Sequence, residues 1–551
     1  MRAGGGPRHS SKPASSKLAS SKPVEEQFAP AELVQRIEEY LTAYPAAAVL
    51  EDGRVAFEMR TARFSVTESH GRCLLQLWNE ERNLMRTVVG LQARAQCLRI
   101  MTRRMGAAKP QMLELAPTSD RRTPTARDAA RRNYQKLLER VLGREFLGSK
   151  VDGMRSAMDL EHSFGPAYVR GRLLKGTSAE AVIGVSAAES GATIDGVLTL
   201  GILWLEYCRQ HSEARRHFGG LKVIVPAGAW RTTAERMAWV NHGAAEFQLF
   251  TLDERSEELV PVDFRDSGNV ESRLVHAFEP DGAIERCRAG LDRLLALVPD
   301  PARPRVEVLP RSATEVGLLL HGLEFARVRR VAGERSFARE DEITFGASAH
   351  ETPLTDETEA MARDLFARLF ASRYPDGLHS DPLFRLQPER WLESRLRAEM
   401  RELLPGLQSH PVYSQVPALS SGDRGMLDLL ALDRDGRLTV IELKADEDLH
   451  LPLQALDYWI RVRALNEDRR TGHSGRVVSA FERAGYFPDA EVSPLAPRLL
   501  LAAPALRIHP ANQPVLRYFA PQIEWELIAL SENWRHELKV ISRTRGTDGR
   551  R

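Results

Sequence analysis

The sequence predicts a multidomain protein of mixed α/β and α+β class. Three observations lead there. The chain has 551 residues, enough for several domains with cores of their own. Short runs rich in β-branched and aromatic residues are interspersed with amphipathic helical stretches. One order of elements (helix, two strands, apolar helix, strand) also occurs twice, once after residue 120 and again after residue 385.

Composition narrows the class. The chain is 43% hydrophobic and 28% charged, with a formal net charge of +2. That balance excludes a grossly basic nucleic-acid coat but leaves room for a local basic groove. No run of 18 apolar residues exists, so no membrane span is expected. Cys73, Cys97, Cys208 and Cys287 are far apart and form no CxxC pair. They predict reduced, mostly buried thiols in a cytoplasmic protein, not zinc ligands or a disulfide framework. The opening MRAGGGPRHSSKPASSKLASSKP has basic residues but no apolar core, so it is not a secretory signal. Residues 1–27 are expected to be a disordered basic tail.

The elements follow in order. PAELVQRIEEYLTAY, within residues 28–45, has the spacing of an amphipathic helix. GRVAFEMR, ARFSVTESHGRCLLQLW and CLRIMTRRM then make residues 28–120 a β-rich domain. Polar APTSDRRTPTARD marks a boundary near residue 120. Residues 121–300 carry a helix (ARRNYQKLLERVL), two strands (AYVRGRLL, AVIGVSA), an apolar helix (GVLTLGILWLEYCRQ) and a strand (LKVIVPA). PDPARPRVEV, near residue 300, is a second boundary. Residues 301–384 form a connecting α+β region whose helix, TDETEAMARDLFARLFASR, is expected to be capped by Thr355 and Asp356. Residues 385–551 carry PERWLESRLRAEM, MLDLLALD, LTVIELKA, LQALDYWIRV and RLLLAAPA. Laid over the earlier unit, LLERVL matches WLESRL, VIGVSA matches VIELKA, and LKVIVPA falls on RLLLAAPA. LGILWLEY falls near LQALDYWI, offset by three residues. We read this as an internal duplication.

The chemistry concentrates in GMLDLLALDRDGRLTVIELKADED, Gly425 to Asp448. Side chains alternate along a strand, so Glu442 and Lys444 share one face. The turn DRDG, Asp433 to Gly436, folds the strand holding Asp428 back beside them. Three ionisable groups then meet on an apolar sheet, where a charge is expensive unless it is paired or binds metal. Two carboxylates suit Mg²⁺ with several waters retained. Lys444 can orient or help deprotonate an attacking water and steady charge on a phosphate. Gln454 begins the next helix and can hydrogen-bond the lysine or the water.

Asp428, the Glu442-Leu443-Lys444 triplet and Gln454 on a following helix resemble the PD-(D/E)xK nuclease superfamily. The likeness covers about residues 385–530. It implies a restriction-endonuclease-like mixed β-sheet flanked by helices. It also implies Mg²⁺ or Mn²⁺ held by Asp428 and Glu442, and a water-assisting role for Lys444. A glutamate on the preceding helix often joins that set, and Glu393 in RWLESRL takes the place, with Glu389 and Glu399 as other candidates. Leu427 stands where the superfamily has its proline. The implied function is endonucleolytic hydrolysis of DNA phosphodiesters, in defence or repair. A non-catalytic nucleic-acid-binding scaffold and an RNA-processing nuclease stay open. Tyr458, Trp459 and Trp525 are expected in the core.

In the upstream unit, Gly184 falls where Glu442 would be, Ser186 where Lys444 would be, and Arg170 roughly at Asp428, while Glu139 matches Glu393. That unit is expected to be a nuclease-like fold without chemistry, giving an internal pseudo-dimer with one catalytic centre. His162 and Asp159 in MDLEHSF are expected to be structural. The basic runs at residues 99–105, 130–140 and 327–335 are candidate nucleic-acid contacts.

Overall fold

In the computed structural model, residues 28–546 are described, apart from residues 52, 70, 80–81, 95, 105–109, 121, 213–215, 267–272, 333–338, 348–350, 421–422 and 473–474. The expected N-terminal tail lies outside the described residues. The architecture is mixed α/β with several multistranded sheets. Among the described residues, no helix is long and apolar enough to cross a membrane. Four free cysteines are present, three of them buried.

Backbone contacts divide the chain into two compact units, Met1–Asn133 and Tyr134–Arg551. In the first, the expected helix spans Pro30–Ala43 and presents Leu33, Ile37 and Leu41 to a seven-stranded sheet. All its strand pairings are antiparallel. Period-two burial, as in Arg72–Trp78, puts one face of this sheet on the core.

The second unit holds both copies of the repeated order. The upstream copy runs α1 (Pro124–Glu145, which begins in the first unit), β1 (Lys150–Arg155), β2 (Tyr168–Lys175), β3 (Ser178–Val185), α2 (Val197–Gln210), β4 (His217–Pro226), α3 (Arg231–Met237), β5 (Glu246–Asp253) and β6 (Glu258–Val262). The downstream copy runs α4 (Pro388–Ala398), β7 (Tyr413–Ser420), β8 (Asp423–Leu432), β9 (Leu438–Leu443), α5 (Leu451–Glu467), β10 (Arg498–Pro504), α6 (Asn512–Arg517), β11 (Trp525–Leu530) and β12 (Val540–Arg545). Both sheets keep sequence order across six strands. In both, the first three strands pair antiparallel, the third pairs parallel with the fourth and the fourth with the fifth, and the sixth returns antiparallel. The long helix in each copy bridges the first parallel pair, as a parallel crossover requires. Sequence letters alone do not establish this repetition; the pairing pattern matches at every step.

The two copies pack through equivalent helices. α2 touches α6, and α3 touches α5. Where α3 and α6 end, Asn241 donates its backbone N–H to Tyr518 at 2.7 Å, and Ala520 donates to Trp239 at 2.9 Å. Val240 and Phe519 pair as an antiparallel bridge between these two bonds. This reciprocity is that of an isologous interface. One apolar core runs through both copies, joining Ile183, Leu198 and Val223 with Val440, Leu456 and Leu501.

Between the copies, residues 307–353 form a five-stranded antiparallel sheet with its own core, closed by the helix Glu359–Ser372. The cap differs from expectation. Thr358, not Thr355 or Asp356, is the N-cap, and its hydroxyl turns back to the Pro353 carbonyl at 2.7 Å instead of capping the helix.

Candidate active site

β8 and β9 form the hairpin that the turn Asp433–Gly436 closes. The Asp433 carboxylate accepts from the backbone N–H groups of Asp435 and Arg437, both at 2.9 Å. Gly436 has φ +76°, a conformation that excludes most side chains. A Cβ there would meet the Glu491 carbonyl oxygen at 2.3 Å. The hairpin register, Leu429 against Ile441 and Leu430 against Val440, carries on to set Asp428 opposite Glu442. Asp428 accepts a hydrogen bond from the backbone N–H of Leu443 at 3.0 Å, which fixes its carboxylate across the ladder.

Glu442 is only 3% exposed. Burial, then the neighbouring Asp428 charge, hold its pKa well above the usual carboxylate range. Asp428 is raised too, chiefly by burial, and its contacts with Leu443, Lys444 and the Glu442 side chain temper the rise. Oε2 of Glu442 is buried and finds no hydrogen-bond partner among the described residues. Lys444 Nζ lies 3.6 Å from Glu442, 3.8 Å from Glu389 and 3.9 Å from Asp448. Burial works against its charge, but these carboxylates outweigh it and its pKa sits above the ordinary lysine value.

Glu393 comes from α4. It is 7% exposed and salt-bridged to Arg390 at 2.8 Å. Burial pushes its pKa up to about 7. Glu393, Glu389 and Asp428 line one cleft of about 710 Å³. Its far wall is the five-stranded sheet, through Arg311, Glu324 and Arg327. Carboxylates outnumber arginines in this lining, and Arg311 and Arg327 are both paired with Glu324.

The structure therefore brings Asp428, Glu442, Lys444 and Glu393 together. Gln454 stands half-buried in the first turn of α5, with no hydrogen bond to Lys444. Tyr458, four residues on, follows it along the same helix face. Tyr458 is not simply core: its hydroxyl is raised by burial and then by Glu442 and Asp428, so it stands beside the acidic pair. Trp459 is core at 0% exposure, and Trp525 is buried at 8%. Glu399 pairs with Arg395 and takes no part. Glu389, offered by the sequence as an alternative to Glu393, reaches Lys444. Asp448 and the wall of the small sheet are additions that the sequence does not single out.

Among the described residues, no group of three or more His, Cys, Asp or Glu is placed to hold a metal ion. Asp428 and Glu442 do meet the needs of a hard cation that keeps several waters. The orphaned Oε2 of Glu442, in a pocket that disfavours two bare carboxylates, is the feature that a divalent ion would satisfy.

The upstream copy needs a correction. Gly184 faces α1, where a Cβ would meet Leu138 and the Tyr134 hydroxyl at 2.7 and 2.9 Å. Glu442 faces the other way, toward α5. The residue on the matching face is Ile183, which pairs with Arg170 as Glu442 stands opposite Asp428. Val185, not Ser186, then takes the place of Lys444. Glu139 is exposed and has no counterpart of the Glu393 environment. His162 is held by Asp159 at 3.0 Å, and the His211 ring, which sequence spacing did not place there, comes to 6.0 Å. Several of the candidate basic contacts are tied up: Arg99 with Glu114, Arg140 with Glu257, and Arg327 and Arg329 with Glu315.

No protein-family description matches this chain, and no curated protein matches it either.

Proposed function

We propose that the downstream copy is a PD-(D/E)xK-type nuclease that hydrolyses phosphodiester bonds in DNA with Mg²⁺ or Mn²⁺. The observation that carries this reading is the buried pair Asp428 and Glu442 with Lys444 on the same face of an otherwise apolar sheet. A structural ion pair would leave one net charge balanced by one partner. Here two carboxylates crowd together and one buried oxygen is unmatched.

A divalent cation held by Asp428 and Glu442 would acidify water and offset the charge of a phosphate. Lys444 would hold the attacking water's oxygen and neutralise charge that develops nearby. Glu393, poised near neutrality, would accept or return a proton on the cleft wall. Tyr458 and Gln454 would line the helix side. The cleft of about 710 Å³ that Asp428, Glu389 and Glu393 share with the five-stranded sheet is of the size of a small-ligand site and would admit a short segment of substrate.

The test is cleavage of labelled single-stranded, flapped, duplex and supercoiled DNA, and of RNA, with Mg²⁺ or Mn²⁺. Wild type is compared with Glu442→Gln and Lys444→Ala. Metal-dependent cutting should fall by about 10²-fold or more in both variants. Equal binding of nucleic acid by all three proteins with no cutting would replace this reading with a nucleic-acid-binding scaffold.

A further inference from the structure

The position that holds Asp428 in the downstream copy holds Arg170 upstream, and Arg170 is not alone. A bulge in β1, with Gly153 at φ +63°, shifts the register so that Arg155 pairs directly opposite Arg170. Arg172 lies two residues further along the same face of β2. Like charges set opposite one another destabilise a sheet unless something compensates them. Arg170 is 1% exposed, and burial together with Arg155 lowers its pKa to about 10.

Compensation from the protein is thin. Arg170 donates to the Ala157 carbonyl at 2.8 Å and stacks 4.6 Å from the Phe164 ring centroid. Its Nε and Nη1 are buried without partners, as are Nε and Nη2 of Arg155 and Nε of Arg172. All three guanidinium groups lie within 5.8 Å of the Trp204 ring centroid. Trp204 is the eighth residue of α2, as Tyr458 is of α5, so an arginine–tryptophan cluster replaces the acid–tyrosine cluster of the other copy. The acidic group facing Arg170 is Asp159, which is already hydrogen-bonded to His162. Asp152 pairs opposite Arg172 in the ladder and forms its ion pair with Lys150 at 3.7 Å, and Arg172 also hydrogen-bonds the Cys208 thiol. Arg155 and Arg172 are half-buried, so solvent reaches the cluster.

We propose that this face of the upstream copy is a phosphate-binding site, in which Arg155, Arg170 and Arg172 hold the oxygens of a phosphate group against Trp204. Neighbouring guanidinium groups, fixed by packing and each with N–H donors left unmatched, suit the oxygens of a phosphate. The inference stands apart from the catalytic reading, because its test reads binding and not cleavage.

The full-length chain is melted in sodium phosphate and in sodium chloride of matched ionic strength, with EDTA. A 5′-phosphorylated single-stranded oligonucleotide is titrated in parallel. Phosphate is expected to raise the melting temperature above the chloride value. Arg155→Met and Arg172→Met are expected to weaken that effect about tenfold in concentration. Stabilisation by the oligonucleotide alone supports a nucleic-acid phosphate as the source, and stabilisation by both supports a free phosphate as well. No response to either ligand overturns the proposal. So does a variant that melts lower in chloride yet keeps the full phosphate response, since its arginine would then serve packing only.

Discussion

Glu442, the carboxylate we propose for metal binding, opposes the fold that holds it. Its carboxylate is buried beside Asp428, and Lys444 is the cation that offsets its charge. Glu442→Gln removes the like-charge conflict while keeping shape. We expect the metal-free protein to gain about 1–2 kcal/mol at neutral pH and to lose its Mn²⁺-dependent stabilisation; melting in EDTA and in Mn²⁺ reads both. Glu393 makes a pH prediction. Its pKa is raised to about 7 in the folded chain against an ordinary 4.5. The folded state therefore holds a proton that the unfolded state has released. Stability is present in full below pH 4.5, declines as pH rises through about 7, and is then level. The decline is worth up to about 3 kcal/mol. Glu393→Gln should flatten that part of the profile in denaturant titrations at several pH values.

The hairpin and its neighbours explain what could be read from the sequence. Glu442 and Lys444 were legible because charged residues at spacing two inside LTVIELKA have no structural reason to face an apolar layer. The helix Leu451–Glu467 and its order after the strands were legible by period. Glu389 was legible only as one of three candidate glutamates on its helix. Asp448 was not singled out, although it lies four residues after Lys444. The cleft wall was not legible, because it comes from an element far away in sequence. The match of Gly184 to Glu442 failed for a related reason. Aligning letters ignores which side of a strand a residue faces, and one position inverts the face. The helix cap at Thr358 was missed because Thr355, Asp356 and Thr358 all suit a cap, and only the path of the chain chooses among them. The turn itself is testable. Gly436→Ala places a methyl against the Glu491 carbonyl in a left-handed conformation. We expect a loss of about 1–3 kcal/mol and a larger relative loss of cleavage, since the turn aligns Asp428 with Glu442. Denaturation midpoints and initial rates on the same preparation would separate the two effects.

Across the pseudo-dimer, the contacts are those of one folding unit. Arg236 of α3 makes paired hydrogen bonds to Asp457 of α5 at 2.8 and 2.7 Å and also reaches the Asp195 carbonyl. Tyr518 accepts from Arg209 at 2.7 Å and donates to Glu206 across the same seam. Asp457→Ala would strand a buried guanidinium. We expect it to cost about 3 kcal/mol and to lower the melting temperature of both copies in one transition, seen as coincident unfolding by tryptophan fluorescence and circular dichroism. Two separate transitions would mean that the copies fold independently.

The continuous core has a consequence for inheritance. Ile183 and Leu198 of one copy bury against the layer that holds Val440 and Leu456 of the other. A lineage that deleted the upstream copy would strip an apolar face from the copy that carries Asp428 and Glu442. Whatever the downstream copy does, its stability requires the upstream apolar face, whether or not the upstream copy has chemistry of its own. What the shared core requires of the upstream copy is its apolar helix and strand faces, such as Ile183 and Leu198.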